Sequence, residues 1–166
     1  MVSLKARALR LLAMREHSRV ELERKLGEHA ADAGELRSLL DALEAQGWLD
    51  AQRFAASLVR RRARYGTARI AQELRSHGLD DALVEQALRE RDDGDEAARA
   101  LAALRRRHPQ PAADAKQRAR QQRFLQARGY TADAVRAALK AHGADDADDA
   151  DDADDASFNA GADDES

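Results

Sequence analysis

The chain has 166 residues and a formal net charge of −3, from 28 Lys plus Arg against 31 Asp plus Glu. Ala, Leu and Arg fill 82 positions while Ile, Val and Thr together fill eight, which favours helix and excludes a Rossmann sheet, a β-sandwich or a barrel. The lack of Cys excludes disulfide frameworks, thiolate metal sites and cysteine nucleophiles, and no apolar run approaches the roughly 18 residues of a membrane span.

The periodicity of apolar residues, together with capping signals, predicts nine short helices over 4–16, 18–29, 33–46, 50–64, 67–77, 80–90, 93–107, 114–128 and 131–142. Ser18 with Glu21 forms a capping-box pattern, and Asp50, Thr67, Asp80 and Thr131 are expected N-caps. Gly47, Gly78 and Gly129 stand where helices should stop. Pro109 and Pro111 share the linker before the eighth helix.

An internal repeat emerges when fixed offsets are compared. Around Gly78 stand Ile70 and Leu74 before, Leu79 and Asp80 immediately after, and Val84 and Leu88 beyond. The same offsets around Gly129 hold Gln121, Leu125, Tyr130, Thr131, Val135 and Leu139; around Ala30 they hold Leu22, Leu26, Ala31, Asp32, Leu36 and Leu40. Each unit thus reads as an apolar stripe, a stop, a pinned turn, a cap and a second stripe, preceded by one further helix. The predicted fold class is all-α: three tandem three-helix modules over 1–47, 48–91 and 92–143, stacked into an elongated repeat because each module alone buries little. Ala30 in place of Gly, and polar Gln121 in a stripe, predict less regular first and third modules.

Charge is segregated along the chain. All 28 bases fall in 1–143 beside 20 acids, a surplus of eight, whereas 144–166 carries the other 11 acids and no base. That segment repeats A-D-D and, lacking an apolar stripe and repelling itself as a helix, is expected to be a disordered tail. Its expected role is either an internal competitor for the basic body or a solubilising appendage.

Catalytic patterns are missing from the sequence. There is no Gly-rich phosphate loop, no G-x-S-x-G elbow and no calcium-loop spacing. His29, His77 and His142 fall in the last turns of helices, where the macrodipole favours them. Trp48, Phe54, Tyr65, Phe124 and Tyr130 lie at turns or stripes, where packing is their expected role. No catalytic, cofactor or metal site is therefore expected. The arginines carry more information. Arg60, Arg61, Arg62 and Arg64 close the fourth helix, with Arg69 and Arg75 on the fifth; Arg105, Arg106 and Arg107 close the seventh, with Lys116, Arg118, Arg120, Arg123 and Arg128 on the eighth. Such clusters suit phosphate or an acidic protein surface.

The stretch from Gly47 to Asp80, GWLDAQRFAASLVRRRARYGTARIAQELRSHGLD, resembles the central module of the RecX family, regulators of the RecA recombinase. Asp50, Arg53, Phe54, Gly66, Ile70, Glu73, Leu74 and Gly78 match its pattern together. The resemblance extends to Arg15–Leu26 and to Arg123–Val135, where Leu125, Gly129 and Tyr130 match. It implies a curved, right-handed repeat that is not an enzyme and acts in the cytoplasm as a monomer. It further implies binding to RecA and to its filament on DNA, with weak binding to DNA itself. The implied outcome is inhibition of RecA ATP hydrolysis, strand exchange and coprotease activity in DNA repair and the SOS response. The contact surface it implies is Arg60, Arg61, Arg64, Arg69, Arg75, Arg106, Arg107, Lys116, Arg120, Arg123 and Arg128, the matched motif positions being mainly structural. A stand-alone non-specific DNA-binding protein is the alternative. Ala51, Ala30 and the acidic tail depart from the family pattern.

Overall fold

The structure is a computed structural model that describes residues 1–154. Its helices are α1 (Leu4–Met14), α2 (Arg19–Leu26), α3 (Ala33–Ala45), α4 (Ala51–Arg61), α5 (Thr67–Ser76), α6 (Asp81–Arg89), α7 (Glu96–Arg107), α8 (Ala115–Ala127) and α9 (Ala132–Asp154), with one 3-10 turn at Gly27–His29. No strand occurs among the described residues.

Short polar side chains set most helix starts by satisfying N–H groups that the helix leaves unpaired. Ser18 Oγ accepts from the Glu21 amide at 3.1 Å while the Ser18 amide donates back to the Glu21 carboxylate at 3.2 Å. Asp50 and Asp80 accept from the amides of Arg53 and Leu83 at 2.8 and 2.9 Å, and Thr131 accepts from that of Ala134 at 3.3 Å. Two starts correct the sequence reading. Thr67 is the first helical residue of α5, and the cap position belongs to Gly66, whose backbone is extended and which offers no side-chain oxygen. α7 opens at Glu96 instead of near 93, because Gly94 turns the chain at φ +86° and Asp95 then caps the helix. The backbone of α9 continues past Gly143 to Asp154. The rest of the segment expected to be disordered, 155–166, lies outside the described residues.

The chain divides into two compact units, Met1–Asp93 and Gly94–Ser166. The first holds two apolar cores. One gathers Leu4, Ala8, Leu22, Leu26, Leu40, Leu43 and Leu49 from α1 to α3 and the turn beyond; the other is built on Phe54, Leu58, Ile70, Leu74 and Val84 from α4 to α6. The second unit closes α7, α8 and α9 around Ala100, Leu104, Leu125, Tyr130, Val135 and Leu139. Three tandem three-helix modules result, and the repeat positions are their cores.

The two irregular repeats are resolved differently. At Ala30 no left-handed stop is available, so α2 tightens into the 3-10 turn and Ala30 itself is extended, at φ −80°. Asp32 then caps α3, and the Glu35 carboxylate holds the Ala31 amide at 2.6 Å. Gln121 occupies a true stripe position and is 4% exposed. Its amide donates to the Gln110 carbonyl at 3.1 Å, which provides the partner that a buried polar group requires and ties α8 to the proline linker.

Within Met1–Asp93 the first two modules are locked together by side chains near Ser18. The capping hydroxyl of Ser18 lies 2.8 Å from His77 Nδ1, and the His77 ring packs on Phe54 at 4.8 Å. The adjacent His17 is buried too. Its Nδ1–H donates to the Arg15 carbonyl at 3.0 Å and its Nε2 accepts from Lys25 at 3.3 Å, while burial pushes its pKa down. Arg53 reaches back to the Glu16 carboxylate at 2.9 Å and to the Gly47 carbonyl at 2.7 Å. The turn at Gly47 turns Leu49 inward and leaves Trp48 56% exposed, so Trp48 does not take the packing role expected of it.

Gly78 sits at φ +80°, and a Cβ there would stand 3.3 Å from Val20 of the neighbouring module; at Gly47, φ +76°, a Cβ would meet nothing within 4 Å. Gly78→Ala is expected to cost about 1–2 kcal/mol from the left-handed backbone, plus the displacement of Val20. Gly47→Ala should show the backbone cost alone. Urea titration of both variants separates the two effects, and equal losses would remove Val20 from the account.

Glu21 is the second checkable position. Burial acts to raise its pKa, but hydrogen bonds from Arg15, at 2.9 and 3.1 Å, and from the Ser18 amide hold it at about 2. A carboxyl depressed on folding contributes stability above its unfolded value, and that contribution is lost as pH falls through the folded one. Thermal melts should therefore be flat above about pH 5 and decline between about 4.5 and 2. Glu21→Gln should flatten that decline and cost about 1 kcal/mol at neutral pH.

Candidate nucleic-acid interface

The arginines expected to form one contact class divide by what holds them. In the second module Arg60 and Arg61 end α4, and Arg62 caps it. Arg62 forks onto Glu73 of α5 at 2.8 and 2.9 Å, and that bidentate bond holds the Glu73 carboxyl below its ordinary range. Arg62 is thus a tie between α4 and α5. Arg75 pairs with Asp81 at 2.9 Å across the next turn. Arg69 lies over the Tyr65 ring at 4.2 Å in a cation–π stack. Burial, then the nearby Arg15, pushes the Arg61 pKa down, which places Arg61 by the junction with the first module. Arg64 is exposed in the turn between α4 and α5.

The matched motif positions occupy the frame beneath these cations. Phe54, Ile70 and Leu74 are core, Asp50 and Gly66 cap α4 and α5, and Arg53 and Glu73 make ion pairs. In the third module Leu125 and Tyr130 are core and Gly129 makes the turn at φ +83°.

A denser cationic surface lies in the second unit. Arg105, Arg106 and Arg107 form the exposed last turn of α7. On α8, Lys116, Arg120 and Arg123 follow one another at spacings of four and three, which puts them on one exposed stripe. α8 itself contains no acidic residue. The two cationic elements meet at His108. Burial, then Arg107 and Arg120, lowers the His108 pKa, so the end of α7 and the stripe of α8 act on one imidazole. That imidazole makes a T-shaped contact with Phe124 at 5.6 Å, and the Arg128 guanidinium lies 5.2 Å from the Phe124 ring. Finally, the His142 Nε2–H of α9 donates to the His108 carbonyl at 2.9 Å.

The boundary at Asp93 also relocates the charge. Residues 1–93 contain 17 bases and 16 acids, whereas 94–143 contain 11 bases and four acids. Seven of the eight surplus charges therefore belong to the third module. That asymmetry was countable from the sequence, since the expected module at 92–143 already holds 11 bases and six acids. The sequence reading also missed Arg91, whose side chain is 3% exposed and is held by Asp93 at 2.8 Å. Nothing in its local spacing distinguishes it from a surface arginine. No cluster of His, Cys, Asp and Glu able to hold a metal ion occurs among the described residues, and none of their helices is long and apolar enough to cross a membrane.

Tandem three-helix modules, the third strongly basic, define the class: an all-helical repeat protein. Comparison with known proteins narrows that class to one family. Residues 50–88 match the pattern of the second three-helix domain of RecX, and residues 92–139 that of the third. A regulatory protein RecX of Leptothrix cholodnii is 51% identical over 145 residues, covering 84% of this chain and 88% of its own. That of Ralstonia nicotianae is 52% identical over 136 residues, covering 81% and 84%. The crystal structure of RecX from Lactobacillus salivarius shares the fold at 19% identity, with a TM-score of 0.69 over 84% of this chain and 94% of its own. The chain belongs to the RecX family of regulatory proteins.

Proposed function

We propose that the protein binds RecA assembled on DNA and restrains it, inhibiting ATP hydrolysis, strand exchange and coprotease activity and so modulating DNA repair and the SOS response. It acts in the cytoplasm, as a monomer and without catalysis of its own. Family membership supports RecA as the partner; the observation that carries the contact surface is the surplus of seven positive charges in 94–143. A RecA filament on DNA presents phosphate, and Arg forks suit phosphate oxygens. Arg106, Arg107, Lys116, Arg120 and Arg123 form the main contact surface, and Arg60, Arg61, Arg64 and Arg69 a second one. Arg75 and Arg128 are engaged by Asp81 and Phe124 and contribute less.

DNA-dependent ATP hydrolysis by RecA, measured with increasing amounts of the protein at low salt, should fall. Unchanged hydrolysis at saturation would reject the reading. The α8 stripe also favours a second reading, a sequence-indifferent binder of DNA alone. Titration against bare and RecA-coated single strands separates the two, since a filament regulator prefers the coated strand.

A further inference from the structure

We propose that the acidic segment beginning at Asp145 is a built-in competitor for the basic face of the third module, occupying the end of α7 until a polyanion displaces it. The proposal rests on the polyanion-binding reading of that module and adds its regulation. Two observations support it.

The first is where the segment is attached. Tyr130, just before α9, reaches the Arg99 carbonyl at 3.5 Å, and His142 bonds the His108 carbonyl at 2.9 Å. α9 therefore runs parallel to α7 and passes its final turn, which carries Arg105, Arg106 and Arg107. Asp145 follows His142 by three residues, less than one helical turn. The acidic run thus follows within one turn of the residue that meets the end of α7.

The second is charge. The third module carries a surplus of seven, and the segment after it carries 11 acids and no base. Two residues in three are Asp from Asp145 to Asp155, so the segment offers the arginines a dense line of negative charge, as a nucleic acid does.

Tethered with almost no linker, the segment meets the arginines at high effective concentration. It discriminates: a short or weakly charged ligand cannot displace it, whereas a long array of phosphates can.

The test uses the full-length chain with Asp145, Asp146, Asp148 and Asp149 each changed to Asn, and circular dichroism to verify that the variants fold. Binding to a labelled single-stranded oligonucleotide is followed by fluorescence anisotropy. At 50 mM salt the neutralised chain should bind about tenfold or more tightly than the parent. The gain should shrink several-fold at 300 mM, where screening acts over a few ångströms. With Arg105, Arg106 and Arg107 also changed to Ala, the gain should fall below about threefold. No gain at 50 mM, or an equal gain in both backgrounds, overturns the proposal. The RecA hydrolysis assay keeps the two readings apart. Inhibition without any anisotropy gain rejects the competitor and leaves the regulator standing; a gain without inhibition does the reverse.

Discussion

Phe54→Ala is expected to remove about 3–5 kcal/mol of folding free energy, the largest loss from any single side chain in the second module. Phe54 is fully buried among Leu58, Ile70, Leu74 and Val84, and these side chains cannot fill the cavity left by its ring without moving α4. It also supports the ring of His77, whose Nδ1 meets Ser18, so the loss reaches the first module. Urea unfolding followed by far-UV circular dichroism checks it. A loss below about 1 kcal/mol would mean that the site collapses around the missing ring, and that the second core is far more plastic than its packing indicates.

The second large effect is functional. Changing Arg105, Arg106 and Arg107 together to Ala should weaken binding to RecA-coated DNA by about 10- to 100-fold at 50 mM salt and lower the salt slope by about 2. The three side chains are exposed, and Arg107 acts on the imidazole that Arg120 also acts on. They lie outside the third core, and circular dichroism verifies that the variant folds. Arg62→Ala is the opposite case. Its fork on Glu73 joins α4 to α5, so it should destabilise the second module while leaving the salt slope unchanged. If the triple substitution left both affinity and slope intact, the contact surface would have to move to Arg60, Arg61, Arg64 and Arg69.

Features governed by neighbours in sequence were legible before the structure. Ser18, Asp50 and Asp80 act on amides three residues away, and the stripe around Gly78 is one helix face repeated. Thr67 was misread because Thr is a good cap in general, whereas here the extended backbone falls one residue earlier. Features governed by distant partners were not legible. Gln121 stood out as a departure, but the Gln110 carbonyl that satisfies it lies across a linker. Arg62 and Arg61 are adjacent and chemically identical, and only the position of Glu73 makes one of them a tie. The histidines at helix ends were read as dipole partners; His77 and His142 instead reach across to other helices.

The bond between Ser18 and His77 bears on how the chain is made. Its two ends are 59 residues apart, so Ser18 leaves the ribosome well before its partner exists. At about 5–20 residues per second, the interval is roughly 3–12 s. During that time the N-terminal module is capped at α2 but lacks the ring that meets the capping hydroxyl. The surface around Val20, 42% exposed even in the finished fold, then also lacks its neighbour Gly78. The nascent chain therefore completes its first module only while translating the second, and a pause in the codons between them would prolong the period in which that surface is open to chaperones or aggregation.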